Sequence, residues 1–207
     1  MPQAAPSAPP ALPPGAERVT PRTLETVTRH KLVSGRPQSV RQTITRTADR
    51  IHVATGQERE WLFERNTLDS QRVTGTLIEH ASRALIVYEE SDLRRLLGIS
   101  GWAHTLTLGF DPGLLAGFER SGQTRVIGGI QFARYVAASK RTDFQEVWWS
   151  SEEIFPSRFV TAGSRESIEF SVERIRPGID AALLRAPAAR FPAYDKFDLA
   201  EWLEGPR

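Results

Sequence analysis

The chain has 207 residues, of which 40% are hydrophobic and 25% charged, a composition typical of an ordinary globular protein. It contains no cysteine, which excludes disulfides, thiol nucleophiles and thiolate-bound zinc or iron–sulfur sites. The net charge is only +2 and basic and acidic residues alternate along the chain, so we expect no nucleic-acid partner. No apolar run approaches the roughly 20 residues of a transmembrane helix, so we expect no integral membrane segment.

The beginning of the chain differs in composition from the rest. Residues 1–19 are rich in proline and alanine and have neither a basic start nor an apolar stretch. This segment is therefore not a signal peptide, but it resembles the linker that often follows one. We expect a disordered linker over residues 1–19 and a single domain over residues 20–207. Either a signal or anchor segment preceded the linker or none existed, and we favour the first alternative.

Six β-strands are predicted in the first half of the domain. The Gly56-Gln57 pair is a two-residue signal for a tight hairpin, and alternation along the second strand of that hairpin puts Trp61 and Phe63 on one face. The other strands are marked by β-favouring residues in polar alternation and by turn residues. The predicted segments are two strands between Thr23 and Thr45 with a turn at residues 34–37, then Arg50–Thr55, Glu58–Arg65, Arg72–His80 and Arg83–Glu89.

Helices are predicted to interrupt the strands once. Ser91-Asp92 is a polar cap before Leu93, Leu96 and Leu97, and Gly98 closes that helix. A second helix is predicted from Asp111-Pro112 to Ser121-Gly122, with an apolar stripe of Leu114, Leu115 and Phe118. Residues 99–110 are apolar and ambiguous in period, and we interpret them as helix or loop lying over the sheet.

Four more strands and a tail are predicted in the second half. The first two strands should form a hairpin, and the pair Gly128-Gly129 is expected inside the first of them, where it marks a bulge or a close approach by another element. The segments are Thr124–Val136, Phe144–Ser151, Phe155–Thr161 and Ser167–Arg176, followed by a proline-punctuated tail, Pro177–Trp202, with a brief helix over Asp195–Leu203. The pattern predicts a mainly β (α+β) fold, an antiparallel sheet covered by short helices.

No catalytic or metal-binding pattern stands out. The four histidines are not in ligand spacing and no serine lies in a nucleophile elbow. The pairs Glu89-Glu90 and Glu152-Glu153 are adjacent residues, which face opposite sides of a strand and cannot converge on one atom, so we expect solvated charges. The sequence predicts a protein that is not an enzyme and has no cofactor and no metal.

Two parts of the chain resemble the LolA-like superfamily of outer-membrane lipoprotein carriers. The first runs from Gly129 and Tyr135 through residues 147–150 to residues 155–159, and the second from Ile175 through residues 177–184 to Pro187. The early strands are similar to the opening meander of that family, so the resemblance covers about residues 20–203. It implies an incomplete, strongly curved antiparallel barrel with helices in its mouth around an apolar cavity. Members act in the bacterial envelope, and the best-known ones carry lipoprotein acyl chains.

The aromatic residues of the strands and of the cover are the candidate binding site. Apolar concavities with few polar groups are typical of small-molecule sites, although any single aromatic residue more often simply fills the core. We therefore predict a periplasmic or outer-membrane associated monomer whose cavity binds a hydrophobic ligand such as an acyl chain or lipid. The alternative is an envelope protein with a packed interior that binds another protein. The predicted lining residues are Trp61, Phe63, Trp102, Phe110, Phe118, Phe132 and Trp149.

Overall fold

A computed structural model describes residues 19–32, 36–139, 143–163 and 166–205 of the chain. Residues 1–18 of the predicted linker and residues 34 and 35 of the turn predicted at residues 34–37 lie outside the described residues. Among the helices that are described, none is both long enough and apolar enough to cross a membrane.

Twelve strands form a single sheet. Their order is β12-β6-β5-β4-β3-β2-β1-β11-β10-β9-β8-β7, so most neighbours in the sheet are also neighbours in sequence. The strands are β1 (Arg22–Leu32), β2 (Gln38–Arg46), β3 (Arg50–Thr55), β4 (Arg59–Arg65), β5 (Val73–Glu79), β6 (Ala84–Tyr88), β7 (Phe118–Ile127), β8 (Ile130–Ala137), β9 (Phe144–Ser150), β10 (Phe155–Ala162), β11 (Glu166–Pro177) and β12 (Asp195–Asp198).

The sheet is antiparallel apart from one edge. β1 joins the two halves of the domain, because it pairs with β2 on one side and with β11 on the other. The exception is β12, which runs parallel to β6. The prediction of a mainly β fold with a curved antiparallel sheet and short covering helices is confirmed, and the parallel edge strand is an addition to it.

Alternation along the strands decides which side chains face the interior. On β4, Trp61 and Phe63 lie on the same face and their rings stack at 5.4 Å between centroids, as predicted. The turn of the hairpin that carries them has three residues instead of the predicted two, since Thr55 pairs with Arg59. Gly56 takes the left-handed conformation there, with φ of 63°.

Helices between β6 and β7 lie over one face of the sheet and form its cover. They are α1 (Glu90–Leu97), α2 (Trp102–Leu106) and a 3-10 helix (Pro112–Gly117). The cap of α1 is Glu89, in a reciprocal pair with Asp92, so the prediction of a cap at Ser91 is wrong. The predicted second helix is too long, because Phe118 already begins β7 and the Ser121-Gly122 pair lies at an irregularity inside that strand.

Gly128 and Gly129 form the turn between β7 and β8, so their predicted place inside one strand is wrong. Both have positive φ, 56° and 82°, which suits the two central residues of a tight hairpin. The predicted close approach is present at Gly128, where an added Cβ would lie 2.7 Å from Cβ of Ile175. The turn therefore packs directly against β11.

The C-terminal segment continues past the last antiparallel strand with short elements. These are a 3-10 helix (Ala181–Leu184), α3 (Pro187–Arg190), β12 and α4 (Leu199–Glu204). The brief helix predicted over Asp195–Leu203 is therefore half strand and half helix. Leu199 of α4 packs in a small cluster with Ala84 and Ile86 of β6, which holds this end of the chain on the edge of the sheet.

Candidate binding groove

An apolar groove with a volume of about 350 Å³ lies between the sheet and its cover. This volume is within the range of about 300–1,000 Å³ that small-molecule sites occupy. Side chains of six strands form one wall and the segment from Leu97 at the end of α1 to Gly109 after α2 forms the other. The groove is lined by Thr28, Gln42, Ile44, Ile51, Val53, Trp61, Phe63, Leu97, Ile99, His104, Thr105, Leu108, Gly109, Phe159 and Phe170.

The sheet wall is built from alternate residues of neighbouring strands. Ile44 of β2 pairs with Val53 of β3, and Val53 pairs in turn with Trp61 of β4. Because residues paired across strands share a face, these three side chains form one continuous apolar row. Trp61 also meets the edge of Tyr88, with ring centroids 4.9 Å apart. The pairing of β2, β3 and β4 thus places apolar residues of three different strands side by side.

The cover wall is held in place by Trp102. Its backbone N–H donates to the carbonyl of Gln71 at 2.9 Å, and its indole N–H donates to the carbonyl of Ala48 at 3.0 Å. The side chain itself is fully buried. Trp102 therefore fixes α2 to two loops of the sheet.

His104 closes a small ring of hydrogen bonds in the same wall. The backbone N–H of Ser100 lies 3.3 Å from His104 Nδ1, and His104 Nε2 lies 2.8 Å from the carbonyl oxygen of Gly109. The carbonyl of Gly109 only accepts, so Nε2 carries a proton, while the backbone N–H and the hydroxyl of Ser100 both face Nδ1. His104 is thereby held in one orientation in the cover wall.

Two of the seven predicted lining residues, Trp61 and Phe63, line this groove. The other five pack in the core beneath and beside the cover. They are Trp102, Phe110 and Phe132, which are fully buried, Trp149, which is 5% exposed, and Phe118, which is half-buried at the start of β7. Contact of these five with a ligand remains a prediction from the sequence.

Several lining residues were not predicted. Ile44, Ile51 and Val53 alternate with polar residues on β2 and β3, and this period-two pattern was a usable signal. Phe159 and Phe170 pair with each other across β10 and β11, and their rings stack at 5.0 Å between centroids. Their position in the groove depends on the curvature of the sheet, for which the local sequence has no marker.

The opposite face of the sheet carries a polar cluster around Glu60. His52 Nε2 and His80 Nε2 lie 2.7 and 2.9 Å from its carboxylate oxygens, and Arg190 of α3 donates to it at 2.6 Å. Burial favours a higher pKa for Glu60, but the hydrogen bonds from His52, Arg190 and His80 outweigh it and hold the pKa at about 2. The cluster clamps the C-terminal segment to the outside of the sheet.

A second charged cluster is buried at the end of β2. Arg46 is fully buried and donates to the backbone carbonyl of Glu153 at 2.8 Å, while Arg22 donates to the Glu153 carboxylate at 2.9 Å. Burial lowers the pKa of Arg46 to about 10, although the negative charge of Glu153 opposes this shift. The expectation of solvated charges at Glu152-Glu153 is therefore wrong for Glu153, which is 4% exposed.

Two further pockets are more polar than the groove. One, of about 520 Å³, lies between residues 66–74 and the start of α1 and includes Asp69, Arg72, Glu89 and Glu90 in its lining. The other, of about 440 Å³, lies under residues 176–183 on the outer side of β1 and β2. Within the described part of the chain, no group of three histidine or carboxylate side chains could hold a metal ion.

Comparison with known proteins finds similarity in structure only. No family model and no curated protein sequence matches the chain. An uncharacterized conserved protein from Thermus thermophilus has a TM-score of 0.49 at 10% identity, over 89% of this chain and 93% of its own. A LolA superfamily protein from Nitrosomonas europaea has a TM-score of 0.39 at 8% identity, over 83% and 90%.

The structure of the MucA/MucB complex of Pseudomonas aeruginosa has a TM-score of 0.47 at 11% identity, over 84% of this chain and 58% of its own. A LolA superfamily protein thus stands among the similar structures. Identities and scores at this level concern the course of the chain and say nothing of its activity.

Proposed function

We propose that this chain is a non-enzymatic protein of the bacterial envelope that binds a hydrophobic ligand, such as an acyl chain or a lipoprotein, in the groove under its cover. The observation that supports the proposal is the groove itself, which is walled by apolar side chains of strands and helices and has the volume of a small-molecule site. The periplasmic or outer-membrane location and the monomeric state are part of the proposal and rest on the resemblance.

Burial of apolar surface is the driving force in this proposal. Each methylene group removed from water contributes about 0.8 kcal/mol, so affinity should rise with chain length until the groove is filled. Leu97 at the edge of the groove is 46% exposed, and a bound chain would cover it. An exposed leucine at the rim, Leu97, and buried isoleucines in the floor, Ile44 and Ile51, suit a surface that accepts an apolar chain.

An enzymatic role would need convergent ionisable groups in an accessible cleft. Glu60 with His52 and His80 is the described cluster that comes nearest to this requirement. Its carboxylate already accepts hydrogen bonds from both histidines and from Arg190, and its pKa of about 2 keeps it ionised at neutral pH. A carboxylate that already accepts three hydrogen bonds and holds the C-terminal segment on the sheet suits a structural role better than proton transfer.

A second candidate is an envelope protein that binds another protein, and the exposed edge of the sheet favours it. β7 is the last strand in the order and most of its ten residues are exposed. A free edge can pair with a strand of a partner. The irregularity inside β7 and its charged side chains, Glu119, Arg120 and Arg125, weaken this alternative, because both features discourage edge pairing.

Native mass spectrometry before and after incubation with a lipid extract of bacterial envelopes tests the proposal. A stoichiometric adduct that an acyl-chain probe displaces is the expected result, and the mass also gives the oligomeric state. If the folded protein gains no adduct from the extract and none from purified phospholipid, the groove does not serve a lipid and the protein-binding alternative takes its place.

A further inference from the structure

We infer that the groove selects an uncharged ligand, and that Gln42 and Thr28 determine this specificity by hydrogen bonding to its polar end. The inference rests on the proposed function and adds to it a chemical class: an apolar chain that ends in a neutral amide, ester or hydroxyl group. A chain that ends in an ionised carboxylate is discriminated against.

The first support is the absence of charge from the groove walls. Among the lining residues that the structure describes there is no aspartate, glutamate, lysine or arginine. The lone titratable lining residue is His104, whose two ring nitrogens are both engaged by hydrogen-bonding groups of its own segment, Ser100 and Gly109. A buried ion needs an opposite charge or several hydrogen bonds, and the described walls supply no opposite charge.

The second support is the hydrogen-bonding capacity of one end of the groove. Gln42 of β2 donates one amide N–H to Thr55 at 3.0 Å, and in the described residues its carbonyl oxygen has no partner. Thr28 of β1 is half-buried, and its hydroxyl likewise has no partner among the described side chains and backbone. In the strand register Gln42 opposes Thr26, so Gln42 and Thr28 are diagonal neighbours. Together they offer donors and acceptors without a net charge.

The described residues offer no comparable free hydrogen-bonding groups at the other end of the groove. Thr105 donates its hydroxyl to the carbonyl of Gly101 at 3.0 Å, and His104 is closed into its own ring of hydrogen bonds. A polar ligand group therefore finds free partners at Gln42 and Thr28, while the apolar chain lies along Ile44, Val53 and Trp61.

Decanamide and decanoate test the inference, because they share a chain and differ in the charge of one terminal group. Their affinities are measured at pH 8 by displacement of the uncharged fluorophore N-phenyl-1-naphthylamine. The expected result is that decanamide binds at least about tenfold more tightly than decanoate. Equal affinities, or tighter binding of decanoate, would overturn the inference and leave the proposed function standing. If neither compound nor the fluorophore binds the folded protein, the proposed function fails and the inference with it.

Substitutions at Gln42 and Thr28 provide an independent test. Gln42→Arg introduces a cation into the groove and should raise the affinity for decanoate about tenfold, because a guanidinium forms paired hydrogen bonds with a carboxylate. Gln57→Arg, at an exposed turn position, is the matched control and should change nothing. Thr28→Val should lower the affinity for decanamide about threefold without affecting decanoate. If Gln42→Arg behaves like Gln57→Arg, then Gln42 is not a specificity residue.

Discussion

Filling the groove with a larger side chain at Val53 should weaken ligand binding strongly. Val53 is half-buried and lies between Ile44 and Trp61 in the apolar row of the sheet wall. Because strand alternation keeps this position on the groove face, the indole of Val53→Trp has to enter the space that a ligand would occupy. The groove of about 350 Å³ is open on one side, so the substitution should cost less stability than the same change in a closed core.

The size of the effect follows from the apolar ligand surface displaced. If the indole excludes about 120 Å² of that surface from the groove, at about 25 cal/mol per Å², the loss in binding free energy is about 3 kcal/mol. Since 1.4 kcal/mol corresponds to tenfold, the dissociation constant should rise about 100-fold. The assay is titration with N-phenyl-1-naphthylamine, accompanied by circular dichroism and thermal melting to show that the sheet is intact.

Val126→Trp is the matched control for this experiment. Val126 lies on the edge strand β7 and is 67% exposed, so the same substitution there leaves the groove untouched. The reasoning is refuted if a folded Val53→Trp protein binds the fluorophore within threefold of the unaltered protein, or if Val126→Trp weakens binding as much as Val53→Trp does.

Two further predictions concern stability. The pKa of Glu60 is about 2 instead of 4.5, so its stabilising contribution is complete above about pH 4.5 and is lost as the pH falls toward 2. Glu60→Gln should therefore lower the free energy of unfolding by about 3 kcal/mol at pH 7, with a difference that shrinks below about pH 4.5 in urea titrations; a difference that is constant with pH would contradict this. Gly128→Ala should cost about 2 kcal/mol more than Gly129→Ala, because both have positive φ but an added Cβ meets Ile175 only at Gly128. Equal melting temperatures of the two variants would show that the turn moves freely away from β11.

Much of the sheet was predictable because its signals are local. Apolar and polar residues alternate along the strands, and glycine and proline mark the turns, so nine of the strands, β1 to β6 and β9 to β11, follow from the pattern alone. The Trp61–Phe63 pair is an example, since two positions two residues apart on a strand must share a face. The errors also have local causes: Phe118 fits the stripe of a helix and the start of a strand equally well, and the pattern cannot decide between them.

The site was predictable only in part, because burial separates residues that look alike in sequence. Trp61 and Trp102 are both aromatic residues in apolar surroundings, yet Trp61 lines the groove and Trp102 is fully buried as an anchor of the cover. The two backbone carbonyls to which Trp102 donates belong to loops that follow β2 and precede β5. No spacing pattern in the sequence predicts hydrogen bonds between residues this far apart in the chain.

The amino-acid sequence by itself determined the class of this protein: a mainly β chain without cysteine, with an antiparallel sheet, a helical interruption after the sixth strand, and aromatic residues in both. Tertiary structure alone decided where the open space lies. The groove exists because the curvature of the sheet brings Phe159 and Phe170 toward Ile51 and Val53, while the cover stops short of filling the interval. A side-chain pattern records which face of a strand is apolar, but the distance between two apolar faces is set by strand register and twist, which are properties of the whole sheet.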